Sequence, residues 1–415
     1  MNTDCLPTPL GQRLLAMPDT LSIALQERMA QDISSGWMSP YRAREADVVR
    51  RYPSAHDAGC LWRPAFVRDV EKILHLPVYN RYAGKTQVFS FRSNADLSRR
   101  GLHVQLVSRI ARDIGRALGL NCDLIEAIGL SHDLGHTPFG HAGERCLNDV
   151  YHERTGRYFF HNVHSVRVMD TLYSRNVSLQ TLDGALCHNG EYEQRVFTTS
   201  DLSSFDEFDG VVESCRVEGG RAIGHLRPAT LEGCVVRISD IIAYVGRDRQ
   251  DAIEAGLMSP DAFDDGLGGR YNSWILSRAS TDIIEHSYGK DRIEMSDELF
   301  AEIRRAKAEN YRKIYRSSGI EGERAEVLAR AFRSMYERFF DELVARDESS
   351  YIFRHHIFRI QRALSHYGRT YDWQSDPDQT VVDYIASMTD GYFTELAGKL
   401  FPELHFPHRS YINER

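Results

Sequence analysis

The chain has 415 residues, about two to three times the length of a typical domain, so it can bury a large core. With 42% hydrophobic and 27% charged residues it has the composition of an ordinary globular protein, which excludes extensive disorder. A formal net charge of -8 excludes a broad electrostatic footprint for duplex DNA but not a local basic pocket.

Seven cysteines (Cys5, Cys60, Cys122, Cys146, Cys187, Cys215 and Cys234) form no CxxC pair and are expected as free thiols in a reducing compartment. No run of 18 apolar residues is present, so neither a transmembrane helix nor a membrane partner is expected. The opening MNTDCLPTPLGQRLLAMPDT lacks a basic region followed by an apolar core. It does not read as a secretory signal, and a cytoplasmic location is expected.

In chain order, residues 1–62 are mixed, with helical patches interrupted by Pro7, Pro9, Pro18, Pro40 and Pro53. From Asp69 the pattern turns helical. Apolar residues at 104, 106, 107, 110, 111, 114, 117 and 118 predict a helix over Val104–Leu118, stopped by Gly119. Asp123 opens a second apolar helix that ends by Gly135. His161–Leu172 and Leu231–Ala255 also read as helices. Residues 194–228 read as loop-rich with a short strand pair, and 258–273 as a Gly- and Asp-rich loop. The charged stretch 297–346 and the region after it are helix-patterned up to Pro402. The fold class is mostly α, with a few short strands in loops.

The segment SHDLGHTPFGHAGE, Ser131 to Glu144, packs His132, Asp133, His136, His141 and Glu144 into fourteen positions. At a helix C-terminus His132 and Asp133 can both turn to one ion, and imidazole with carboxylate suits a divalent transition metal or magnesium. Gly135, Pro138 and Gly140 predict a tight turn that returns His141 to the same cleft. A surface His-Asp pair fits the local sequence equally well. His103 begins the first apolar helix and reads alone as a helix-start histidine. Asp240 lies amid Val235, Val236, Ile238, Ile241 and Ile242, where a carboxylate needs a partner: a metal, or a nearby arginine.

The order His103, His132–Asp133, Asp240 resembles the HD-domain phosphohydrolase superfamily. Within it, the chain resembles the deoxyguanosinetriphosphate triphosphohydrolase-like dNTPases. KTQVF at 85–89, HDLGHTPFGHAGE at 132–144, FHN at 160–162, SDIIAYVGRDRQDA at 239–252 and DYIASMTDGY at 383–392 resemble blocks of that family, in the same order. The resemblance implies an HD-domain helical fold and a divalent metal (Mn, Mg, Fe, Ni or Zn) held by His103, His132, Asp133 and Asp240. It implies catalytic roles for His141, oriented by Glu144, and for His136. It implies substrate contacts from Gln87, Val88, Arg100, His161, Tyr244 and Asp248, the last two on the helical face of Asp240. His161 with Asn162 also reads as a helix cap.

The implied reaction is hydrolysis of a dNTP substrate, dGTP among the candidates, to deoxynucleoside and triphosphate. Residues 63–256 would form the phosphohydrolase core after an extension over 1–62. Residues 257–415 would complete the nucleotide pocket and supply oligomer contacts. A dNTP or single-stranded nucleic-acid effector and a homo-oligomer, a hexamer, follow from the resemblance alone. The chain departs from the family in YNRY at 79–82, VQLV at 104–107 and Ile241 after the last ligand aspartate, features of a divergent branch. The alternative readings are an HD-type nucleotidase acting on another phosphoester and a nucleotide-regulated nucleic-acid-binding protein.

Overall fold

The computed structural model describes residues 20–90, 94–190, 194–264, 266, 271–315 and 323–404. The protein is mostly α. Its longer helices run in the order α1 (Ile23–Ser35), α2 (Ala65–Leu74), α3 (Arg100–Ala117), α4 (Cys122–Ser131), α5 (Gly140–Thr155), α6 (His161–Arg167), α7 (Leu179–Cys187), α8 (Phe205–Glu218), α9 (Leu231–Glu254), α10 (Asn272–Ser287), α11 (Asp297–Asn310), α12 (Glu323–Val344), α13 (Phe358–Ser365), α14 (Pro377–Ala386) and α15 (Asp390–Leu400).

The helix ends follow local chemistry. The Asn121 side chain accepts from the N–H groups of Asp123 and Leu124 and starts α4. Thr230 does the same for α9 through Gly233 N–H at 3.1 Å. The periodicity expected over 104–118 is the inner face of α3, where Val107, Ile110 and Ile114 are buried. They pack with Leu124, Ile125 and Ile128 of α4, Val235, Ile238 and Ile242 of α9, and Ile275 of α10. Each such side chain contributes about 1.5–3 kcal/mol by leaving water.

A second apolar cluster joins Leu147 and Tyr151 of α5 to Phe332 and Tyr336 of α12 and to Val381 and Ile385 of α14. Helix α4 is the shared wall, because Ala127 and Leu130 face this second cluster. The C-terminal end of α4 therefore emerges where two cores meet, which holds His132 and Asp133 rigidly.

Two expectations for residues 194–228 are corrected. Phe205–Glu218 is a helix, started by the Ser204 side chain and acidic Asp206 and Glu207 in its first turn. The one short sheet among the described residues pairs β1 (Val196–Phe197) with β2 (Ile293–Glu294), antiparallel, so the partner strand comes from outside that region. The helix expected over His161–Leu172 is α-helical to Arg167 and widens into a π turn over Val168–Leu172. No helix among the described residues is long and apolar enough to cross a membrane.

Candidate active site

The end of α4 sets the centre of the site. The His132 ring stands one residue past the helix and donates its Nδ1–H to Gly129 O at 2.8 Å. A carbonyl can only accept, so Nε2 carries the lone pair, and this buried atom has no hydrogen-bond partner. Asp133 follows. Its neighbours around the cleft are His103 Nε2 at 3.9 Å, His132 Nε2 at 3.6 Å and His136 Nε2 at 3.4 Å. Asp240, from the middle of α9, reaches His103 Nε2 at 2.9 Å and His132 Nε2 at 4.0 Å. The partner of Asp240 is thus a histidine, not one of the nearby arginines.

His103, His132 and Asp133 offer ligand atoms that all lie within 4.8 Å of one another. A buried imidazole nitrogen without a partner, aimed at carboxylates, fits a divalent ion.

The turn after Asp133 is tightly specified. Ser165 accepts from Gly135 N–H at 2.9 Å and its hydroxyl donates to His132 O at 2.6 Å. A Cβ on Gly135 would lie 2.2 Å from His161 O, so only glycine fits. Phe139 and Gly140 both take positive φ, 62° and 55°, and start α5 with its first side chain, His141, turned to the cleft mouth. His141 is 69% exposed and donates Nδ1–H to Glu144 Oε2 at 2.8 Å. The other oxygen of Glu144 accepts from both the backbone N–H and the ring Nδ1–H of His161, each at 2.8 Å. The carboxylate of Glu144, not Asn162, caps α6. His136 stacks on His161, with ring centres 3.9 Å apart.

The HD domain family matches residues 100–244, from the first residue of α3 to Tyr244 on α9. A deoxyguanosinetriphosphate triphosphohydrolase-like protein of Caldanaerobacter subterraneus subsp. tengcongensis is 31% identical over 373 residues, covering 88% of this chain and 92% of the relative. Its namesake in Azorhizobium caulinodans is 32% identical over 82% of this chain and 92% of that protein. Another, in Desulfatibacillum aliphaticivorans, is 28% identical over 87% of this chain and 97% of its own length. The chain belongs to the HD-domain, deoxyguanosinetriphosphate triphosphohydrolase-like family.

The electrostatics of this family member follow from burial and pairing. Burial works to raise the pKa of Asp133, but His132, Arg100, His136 and His103 outweigh it and hold the carboxyl well below its usual range. Burial lowers His136 well below an ordinary histidine, reinforced by Arg100 and His161, so it is neutral. For His161 burial acts downward, but the charge and hydrogen bond of Glu144 prevail and its pKa is raised. Arg100 is buried, ion-paired with Asp133, and Nη2 reaches Thr86 O at 3.5 Å.

The other positions singled out from the sequence lie along α9 and the loop before α3, where Thr86 forms an isolated bridge with Arg99. Burial pushes Asp248 up to about 7 against the hydrogen bond that Tyr315 donates to Oδ2 at 2.5 Å. Its Oδ1 is buried with no partner. Tyr244, between Asp240 and Asp248 on the same helix, is half-buried, and its phenol is pushed up by burial and by both carboxylates. Val88 packs with Phe89, Ala252, Ile314 and Tyr315, which brings the 85–89 segment to the C-terminal half of α9. Gln87 presents a buried, partnerless Oε1.

Four residues not singled out from the sequence belong to the site or its frame. His188, one residue past α7, donates Nδ1–H to Ala185 O at 2.7 Å and lies with Nε2 3.7 Å from Asp133 Oδ1. Burial, with His132 and His161, lowers its pKa to about 3. Lys85 is buried and donates to His136 O and, at 2.8 Å, to Ala386 O. Asp390 accepts from Thr86 N–H and Oγ1–H through one oxygen and from Phe139 N–H through the other. Tyr315 is the partner of Asp248.

Proposed function

We propose that this chain is a metal-dependent dNTP triphosphohydrolase, which adds water across the bond between the α-phosphorus and the 5′-oxygen and releases deoxynucleoside and triphosphate. The observation that carries the reading is the direct adjacency of two devices: a buried His/Asp cluster suited to a divalent ion, and an exposed His141 backed by the Glu144 carboxylate. The names of the relatives support the same substrate class.

His103, His132, Asp133 and Asp240 would hold the ion. When bound, it supplies Lewis-acid neutralisation of phosphate charge. Arg100 and the neutral His136 line the wall beside Asp133 and meet phosphate oxygens, with His161 next to them. Glu144 stabilises the imidazolium of His141, whose Nε2–H gives its proton to the departing 5′-oxygen. Hydrolysis then balances: the water oxygen forms a new bond to the α-phosphorus, the bond from phosphorus to the 5′-oxygen breaks, the 5′-oxygen takes the proton of His141, and the proton that the water loses makes up for it. Gln87, Val88, Tyr244 and Asp248 lie on the α9 side of this chemistry and would receive the sugar and base. Asp248, its carboxyl pushed up to about 7 by burial, can in its protonated form donate to a sugar hydroxyl as well as accept from one. The bulk of Tyr244 would occupy the space that a 2′-hydroxyl needs. The N/O donor set accepts manganese, iron, nickel or zinc, and magnesium through its carboxylates.

The test is product identity. Metal-loaded protein given dGTP and each other dNTP, with a second dNTP present as activator, should release inorganic triphosphate and the deoxynucleoside. Release of only orthophosphate or pyrophosphate would overturn the proposal.

A further inference from the structure

Helix α6 has two distinct faces. Its first residue, His161, belongs to the His/Asp cluster, whereas Val163, Val166 and Arg167 line a cavity of about 110 Å³. Helix α8 forms the opposite wall with Asp209, Val212 and Arg216, which share one face at i, i+3 and i+7. Tyr151 and Gln379, both buried, close the inner end, and Thr171 and Asp209 are exposed at the rim. The π turn over Val168–Leu172 brings Asp170 and Thr171 to that rim, a local widening of the kind that recurs at functional sites.

Two arginines line this cavity from facing helices, and each is anchored along one edge. Arg167 spends Nε and Nη2 on Asp383, and no described residue takes its Nη1. Arg216 gives Nη2 to Gln379 Oε1 at 2.7 Å, and its Nη1 stands 3.6 Å from Glu213, beyond hydrogen-bond reach. Glu213 is already ion-paired with Arg157. One carboxylate between two arginines leaves surplus positive charge at the Arg216 end. Asp170 and Asp209 share Arg51, which leaves surplus negative charge at the rim, about 10 Å along α8 from Arg216. Between the two ends the walls are apolar, with Val163, Val166, Val212 and Phe160.

We propose that this cavity binds a small organic monocarboxylate, its carboxylate held between Arg167 and Arg216 and its apolar body, no larger than a benzene ring, packed against the valines and Phe160. Guanidinium–carboxylate hydrogen bonds are among the strong ones, and Asp383 and Gln379 hold the two donors in place before a ligand arrives. A closed cavity of about 150 Å³ takes up benzene, so this one, open at its rim, admits a body of that size at most. A dianion such as phosphate meets the acidic rim and leaves the apolar walls unused. The occupant braces α6, the helix that carries His161. The site lies apart from the proposed chemistry and does not depend on it.

The experiment titrates the full, magnesium-loaded chain against para-fluorobenzoate, with ¹⁹F NMR reading binding and amide hydrogen exchange reading its place. Saturable binding to one site per chain is expected, with exchange slowed over residues 158–171 and 209–216. Arg216→Gln should weaken it about tenfold or more, the loss of one charge-assisted hydrogen bond. Val212→Phe should abolish it by filling the cavity, with circular dichroism reporting the fold of both variants. The uncharged para-fluorobenzyl alcohol should bind far more weakly, and inorganic phosphate should not displace the probe. Absence of saturable binding would overturn the proposal. So would equal binding of the alcohol, which marks an apolar cavity only, or displacement by phosphate, which marks a general oxyanion site. Unchanged binding in either folded variant, or slowed exchange confined to the His/Asp cluster, would place the probe elsewhere and overturn it too. Should both variants fail to fold, the wild-type exchange pattern and the alcohol comparison decide.

Discussion

Glu144 holds His161 twice with a single oxygen, accepting from its backbone N–H and from its ring at 2.8 Å each, and keeps its second oxygen for His141. Burial alone would favour the neutral acid, but the charges and hydrogen bonds of His161 and His141 keep the Glu144 carboxyl well below its usual range. One carboxylate thus starts α6, orients a buried ring and backs an exposed one.

His141→Ala and Glu144→Gln are expected to lower kcat by about 10²–10⁴-fold, the range for a lost acid–base group. An amide has one acceptor oxygen and cannot serve both rings. Metal content should be unchanged in His141→Ala, whose side chain lies at the cleft mouth. Stopped-assay kinetics beside elemental analysis check this, and a fully active His141→Ala would remove the residue from the chemistry.

Asp390→Ala should separate the 85–89 segment from the turn before α5. The change removes the acceptor of Thr86 N–H and Phe139 N–H, at about 1–3 kcal/mol for each buried donor that loses its bond, while Thr86 Oγ1 keeps its contact with Ser90 Oγ at 3.0 Å. The expected outcome is a lower unfolding midpoint and a raised KM for substrate, with metal still bound. Titrating substrate against the variant measures it, and an unaltered KM would contradict this positioning role.

Gly135→Ala should destabilise by about 1–3 kcal/mol or more, because the added methyl meets backbone atoms, His161 O at 2.2 Å and Ser165 N at 2.3 Å, that cannot step aside. Gly391→Ala is the control. Nothing lies within 4 Å of its Cβ, so its midpoint should hold or rise slightly. Thermal unfolding of the pair checks the contrast.

Asp383 carries a pH prediction away from the His/Asp cluster. It is fully buried and takes Arg167 in two hydrogen bonds, at 2.6 and 2.7 Å. Burial would raise its pKa, yet Arg167 prevails and lowers it. A depressed carboxyl contributes stability that is present above its unfolded value of about 3.9 and is lost as pH falls through the lower folded value. Asp383→Asn should cost about 3 kcal/mol at neutral pH, the low end for breaking a buried pair because the Arg167 side chain keeps 23% exposure. The gap to wild type should narrow below about pH 4. Denaturant titrations at pH 7 and in acid measure both.

The helical class, the end of α3, the start of α4 and both ends of α9 were legible because their apolar spacing and caps are local; α3 begins earlier, at Arg100, and α4 ends earlier, at Ser131, than the apolar pattern and Gly135 suggested. The cluster of His103, His132, Asp133 and Asp240 was legible only as an ordered set, since each residue alone has an ordinary reading. His188 was missed because LCHNG holds a single histidine. Its signal was the one seen at His132, an imidazole one residue past an apolar helix. Asp390 and Thr86 meet across 304 positions, and β1 finds β2 about a hundred residues away, links that periodicity does not carry. Helix α8 was hidden by its polar composition, although Ser204, Asp206 and Glu207 are its start signal.

The central claim is tested most directly by hydrolysis of a dNTP panel in ¹⁸O-labelled water, with both products weighed by mass spectrometry. Attack at the α-phosphorus predicts one label in the released triphosphate and none in the deoxynucleoside, dependent on a divalent metal. Label in orthophosphate or pyrophosphate, or a deoxynucleoside carrying it, would contradict the account.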